Sequence, residues 1–208
     1  MSGQEDGDRR SRHQAQVRHP SGDLARDAIL AATLFAHRRR AIEHDPEFAR
    51  AYVGLGDALR FQVPYSGLPA EDMFPRAENA INTALELDDQ LGDAYAALGA
   101  LKSQMGDVEA AVPALERALE LDPNYAPAYI WYGINLTEQG RFEDAAEIYS
   151  KGLELDPLSI TLHINAAAAA GSLGRFDEMR AQMRQRLILW GVVAGAGVVS
   201  VFVGLIAA

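Results

Sequence analysis

The chain contains no cysteine. That excludes a disulfide framework, thiolate metal ligands and a cysteine nucleophile, and leaves the redox compartment open. Lysine stands only at Lys102 and Lys151, while arginine is common; this bias points to a GC-rich, bacterial coding sequence. The five histidines show no zinc-ligand spacing. Gly191 to Gly197 is glycine-rich but lies in an apolar run without a lysine, so it is no phosphate-binding loop. The carboxylates are scattered along helix faces rather than paired for acid–base work. Glu43-His44-Asp45 precedes Pro46 at a helix end, where charged residues sit in solvent. No catalytic, cofactor-binding or metal-binding residue is therefore assigned, and an enzyme is not expected.

Charge is unevenly spread. The whole chain carries a formal charge of -10, and residues 46–174 hold 20 acidic against 7 basic side chains. Such a body repels phosphate backbones, so nucleic acid is not an expected partner. Residues 1–22 have almost no apolar side chains, mixed charge and no apolar leader core, the composition of a solvated, disordered tail.

The opposite end lacks charge altogether. Leu187 to Ala208 is a run of 22 uncharged residues. As a helix it would measure about 33 Å, enough to cross a bilayer core. Four glycines and many valines would make a poor helix in water but pack well in lipid. A single transmembrane helix is expected over 187–208. Arg175, Arg180, Arg184 and Arg186 precede it and Trp190 stands near its entrance. Basic residues stay on the cytoplasmic side, so the body should face the cytoplasm of a bacterial inner membrane. Gly191, Gly195, Ala196, Ser200 and Gly204 place small residues four apart, a spacing that lets two copies of the helix pack as a homo-oligomer.

What the chain has in abundance is repetition. LELDP stands at Leu119–Pro123 and again at Leu153–Pro157, with LELDD at Leu85–Asp89, in steps of 34 residues. Setting Gly92–Pro123 against Ala126–Pro157 aligns Tyr95 with Tyr129, Gly99 with Gly133, Ala111 with Ala145, Ala118 with Gly152, and Pro123 with Pro157. Each match has a packing reason: small residues let helices approach, and proline closes a unit because it cannot continue a helix. Upstream, Tyr52 and Gly56 begin another unit, but Pro46 to Asp89 is nine residues longer than one period. The excess falls in residues 62–75, where Pro64, Gly67, Pro69 and Pro75 predict a loop. Residues 23–46 read as the second helix of an incomplete leading unit. In the last unit His163 takes the aromatic position, where a core role outweighs a ligand role. Met179 and Arg186 replace small residues there, which predicts that the final helix leaves the stack and runs into the apolar segment.

A period of 34 with this register resembles the tetratricopeptide repeat family. The resemblance implies an all-α, right-handed solenoid of antiparallel helix pairs over residues 23–186, about three full repeats plus degraded terminal units, followed by the transmembrane helix. The insertion and the phrases YIWYG and LELDPLS are most similar to repeat modules beside bacterial adenylate cyclase and winged-helix regulator domains, neither of which is present here. Family geometry implies that positions 2, 5, 9 and 12 of each first helix line a partner groove: Arg50, Val53, Asp57 and Arg60; Asp93, Ala96, Ala100 and Ser103; Pro127, Ile130, Ile134 and Thr137. Chaperone-binding members carry lysines and asparagines there to grip a carboxylate; Val53, Ala96, Ile130, Asp57, Ala100 and Ile134 do not. The expected function is a membrane-tethered scaffold that binds a peptide or helix of a partner protein. The alternative is a regulatory module or subunit of a signalling enzyme or transcription regulator.

Overall fold

The computed structural model of the protein describes residues 24–66 and 68–194. Among these residues the chain is nine α-helices and no strand. They are α1 (Leu24–His44), α2 (Ala49–Ser66), α3 (Ala70–Leu87), α4 (Gly92–Met105), α5 (Val108–Leu121), α6 (Ala126–Glu138), α7 (Phe142–Leu155), α8 (Ile160–Ser172) and α9 (Phe176–Ala194). Four hairpins result, α2–α3, α4–α5, α6–α7 and α8–α9, stacked one on the next, with α1 packed on α2.

The aspartate of the repeated phrase ends each second helix. Asp88, Asp122 and Asp156 each donate a backbone N–H to the carbonyl four residues back, at 2.8–2.9 Å. Each side chain then accepts from the N–H two residues on: Gln90 at 3.0 Å, Asn124 at 3.0 Å and Leu158 at 3.2 Å. Asp45 does the same with Glu47 after α1, at 3.1 Å. A short carboxylate bonding forward in this way stops a helix and aims the chain into the next one. The turn inside a hairpin uses glycine instead. Gly106, Gly140 and Gly174 have φ of 77°, 74° and 69°, a conformation that a side chain disfavours. The N–H after each glycine reaches back to the carbonyl of Lys102, Leu136 or Ala170 at 2.9 Å, closing the first helix.

Within a hairpin the helices touch at the conserved-register small positions. A Cβ at Gly99 would lie 2.5 Å from Cγ of Leu115, and one at Gly56 would lie 2.5 Å from Cγ1 of Ile81. Gly133 faces the ring of Tyr149 in the same way. Ala77, Ala111 and Ala145 are fully buried beside these contacts. Between hairpins, Tyr129 donates its hydroxyl to the Pro123 carbonyl at 2.7 Å. His163, in the equivalent place, sets Nε2 3.0 Å from the Pro157 carbonyl and Nδ1 2.6 Å from Oε1 of Gln182. It is buried and acts as packing. Glu43, His44 and Asp45 are exposed at the end of α1.

The structure departs from expectation at two places. The stretch 62–75 is mostly helix: α2 runs on to Ser66 and α3 starts at Ala70, so Pro75 lies inside α3. Pro75 is the sixth residue of α3, past the first turn, so the helix forms although proline cannot donate to the carbonyl of exposed Glu71, and the extra residues lengthen two helices rather than a loop. The final helix does not leave the stack at its start, because Gln182 of α9 holds His163 of α8. It then continues unbroken to Ala194. Among the described residues no helix is long and apolar enough to cross a membrane. The span expected over 187–208 lies mostly outside them, as do the tail at 1–22 and the helix-packing positions Gly195, Ala196, Ser200 and Gly204; Gly191 falls in the last turn of α9.

Leu115 is fully buried, and its Cγ is not a free tip that can swing aside. Gly99→Ala should therefore be overpacked by about 1–3 kcal/mol, against a helix-propensity gain of about 1 kcal/mol. The expected result is a lower urea midpoint; a midpoint equal to or above that of the parent would show that the hairpin has room to spare.

Candidate functional site: the inner helix face

Successive first helices touch, α2 on α4, α4 on α6 and α6 on α8, whereas successive second helices make no such contact. The stack thus bends with the first helices inside. The second helices splay on the outside, leaving a cleft of about 750 Å³ between α1 and α3.

The inward positions differ along the stack. Arg50 is open, with 68% of its side chain exposed. Asp57, Ile130, Ile134 and Thr137 are half-buried. Val53, Arg60, Ala96 and Ala100 are buried, at 5%, 5%, 4% and 1% exposure. Val53 belongs to the core shared by α2, α3 and α4, and Ala96 to the core shared by α4, α5 and α6, so neither is open to a partner. The Arg60 guanidinium, from α2, lies 4.2 Å from the ring centroid of Phe61 and 5.4 Å from that of Trp131 on α6, both within cation–π range. Arg60 thus reaches from α2 to the ring of Trp131 on α6. Thr137 is spoken for: its hydroxyl donates to the Gly133 carbonyl at 2.8 Å. Ile130 packs against the core shared by α6, α7 and α8.

Polar groups with incomplete hydrogen bonding stand on α2, α4 and α6. Nε of Arg60 donates to Oδ1 of Asp57 at 2.7 Å, while Nη1 is buried without an acceptor. Asp93 on α4 places Oδ2 3.7 Å from Nε of Arg50, and its Oδ1 is buried without a donor. Burial raises the Tyr125 hydroxyl above its ordinary range, with the charges of Asp57 and Asp93 adding and Arg60 opposing. Asn135 donates Nδ2 to Oγ of Ser103 at 2.5 Å and to the Trp131 carbonyl at 2.7 Å, and leaves Oδ1 without a donor. No group of three or more potential metal ligands occurs among the described residues. The arrangement offers hydrogen bonding, ionic and stacking contacts.

Phe61, Tyr125, Trp131 and Asn135 escape the four-position rule. Trp131 and Asn135 each sit one residue beyond an inward position. A signal for Trp131 exists in the register: the matching places hold Gly54, Ala97 and Asn165, so its bulk is unmatched.

The sequence model for the tetratricopeptide repeat matches residues 102–170. Over that third of the chain the sequence is similar to tetratricopeptide repeats. The matched residues run from α4 into α8, and the α2–α3 hairpin keeps the same glycine and alanine positions outside them. No curated protein is significantly similar in sequence. Among solved structures, MamA superposes with a TM-score of 0.59 at 22% identity, covering 86% of this chain and 99% of MamA. YrrB, a tetratricopeptide repeat protein described as having an unusual peptide-binding site, gives 0.53 at 23% identity over 78% and 82%. The Cut9–Hcn1 hetero-tetramer gives 0.65 at 18% identity over 76% of this chain and 30% of that one. These likenesses establish the helical-repeat fold.

The link between Arg60 and Trp131 can be measured. A double-mutant cycle with Arg60→Met and Trp131→Leu should give a coupling energy of about 0.5–2 kcal/mol in urea denaturation. A coupling near zero would mean that the two side chains do not meet in solution.

Proposed function

We propose that the protein is an interaction scaffold whose inner helix face captures a segment of a partner protein. The observation that carries this reading is the change along one inward row. Position 5 is buried at Val53 and Ala96, half-buried at Ile130, and 39% exposed at Ile164 on α8. Leu158 and Ile160, at the mouth of the same helix, are also exposed. With half-buried Ile134 they form an apolar strip that an amphipathic helix or an extended peptide would cover. The YrrB structure, described as peptide-binding, offers a precedent on a similar fold.

Ile134→Asp together with Ile164→Asp should reduce capture of arrayed 12-residue peptides at least tenfold while leaving the far-ultraviolet circular dichroism unchanged. Undiminished capture would remove this strip from the binding surface.

The scaffold is further proposed to be tethered to a bacterial inner membrane through residues 187–208, with the repeats on the cytoplasmic side. Support comes from the uncharged run and from the arginines before it. The chain and a version ending at Arg186 distinguish the cases. Only the longer one should stay with membranes through an alkaline wash; equal release of both would sink the tether. The second reading, a regulatory module or subunit of a signalling enzyme or transcription regulator, takes precedence on that outcome.

A further inference from the structure

We propose that the inner face carries a receptor for an arginine side chain of a partner protein, and that the chain's own Arg60 occupies this receptor in the unbound state. The proposal rests on the reading of the inner face as the protein-binding surface and names the chemistry of what binds there. The receptor combines the groups that already hold one guanidinium, Phe61, Trp131 and Asp57, with two further acceptors on α4 and α6 that Arg60 does not bond. Phe61 and Trp131 present ring faces 4.2 and 5.4 Å from it. Asp57 accepts from Nε at 2.7 Å. Asp93 and Asn135 bring buried acceptor oxygens that have no donor. Flat ring faces above and carboxylates in the plane are what a guanidinium needs; a lysine ammonium lacks both the planar faces and the in-plane fork of donors.

Arg60 fills this receptor incompletely. It engages through Nε alone, and its Nη1 is buried without an acceptor while acceptors on α4 and α6 lack donors. Its stem is anchored on α2, so it cannot satisfy groups on α2, α4 and α6 together. An arginine arriving on a partner has no such anchor. It can turn its Nη edge to Asp93 while stacking on Trp131, and Arg60 then swings toward solvent. The surroundings favour a cation, since residues 46–174 hold 20 acidic and 7 basic side chains.

The test uses the full chain with Trp190→Phe, which leaves Trp131 as the fluorescent reporter. The probes are N-acetylarginine amide, the lysine analogue, and the citrulline analogue, which keeps the shape without the charge. Arg60→Ala should bind the arginine probe at least tenfold more tightly than the parent, with a saturable change in Trp131 emission. Citrulline should give none, and adding Asp57→Asn with Asp93→Asn should abolish the response. Arg60→Met, which keeps the buried stem, serves if the alanine variant fails to fold, and the parent itself should respond at higher probe concentration. No arginine-specific saturation in the parent and the folded variant, or an equal response to lysine or citrulline, overturns the proposal. The probe touches nothing beyond this cluster. Its failure is therefore separate from failure of the apolar strip, which the peptide array reads.

Discussion

The architecture depends on one steric constraint: inside each hairpin a glycine of the first helix must face a large side chain of the second. Gly56 meets Ile81, Gly99 meets Leu115 and Gly133 meets Tyr149. The missing Cβ brings the helices close enough for Ala77, Ala111 and Ala145 to be fully buried between them. Dispersion falls off steeply with separation, so a gap of even an ångström would forfeit much of the contact energy along the hairpin. In the first hairpin the partner lies nine residues later in sequence than in the others, yet the same contact forms. The longer α2 and α3 absorb the difference, and the register of the contact survives the insertion.

A hairpin built this way still has an open side, and the next hairpin closes it. Gly152 continues the theme across that joint: a Cβ there would lie 2.9 Å from Cδ2 of Leu162 and 3.1 Å from Cβ of Tyr129. The cores follow the same logic, one shared by α2, α3 and α4, another by α4, α5 and α6, a third by α6, α7 and α8. Each unit contacts its neighbours, as in other stacked repeats. The aspartate turns set the exit angle, and Tyr129 and His163 each tie a first helix to the carbonyl that ends the preceding unit. A histidine can stand in for tyrosine because a ring nitrogen can reach that carbonyl as a hydroxyl does.

Period and packing positions were legible because they are local and repeated: small residues at Gly99 and Gly133, or Ala111 and Ala145, can be read by aligning the chain with itself. The role of the aspartate in LELDP was hidden beside the proline. Asp88 is followed by Asp89 rather than proline, and it makes the same turn, so the carboxylate is the common element. The stretch holding Pro64, Gly67, Pro69 and Pro75 was misread because α2 runs on to Ser66 and α3 carries Pro75 inside it. At the inner face, sequence position fixed which way a side chain sets out but not how far it reaches. Arg60 sets out inward and reaches Trp131 on α6, a contact between units that are not neighbours in sequence. Val53 and Ala96, expected to line a groove, are instead buried in the cores between helices, a burial that the four-position rule does not encode.

The reach of Arg60 bears on what the inner face is for. A buried guanidinium is a weak source of stability, because removing it from water costs more than one partial ion pair returns. Asp57 is half-exposed, which weakens the pair further, and one Arg60 nitrogen has no acceptor at all. An apolar side chain of similar length would fill the same space without an orphaned donor. Nor does the pair set the curvature by itself, since α2 already packs on α4 and α4 on α6. What the ionic group adds is a state that can be exchanged: the rings and carboxylates remain wherever Arg60 goes, and a second guanidinium can take its place. The apolar strip toward α8 supplies contact area, and the Arg60 cluster supplies a chemical requirement. A surface that combines the two would hold a partner by its apolar residues and select it by its charge.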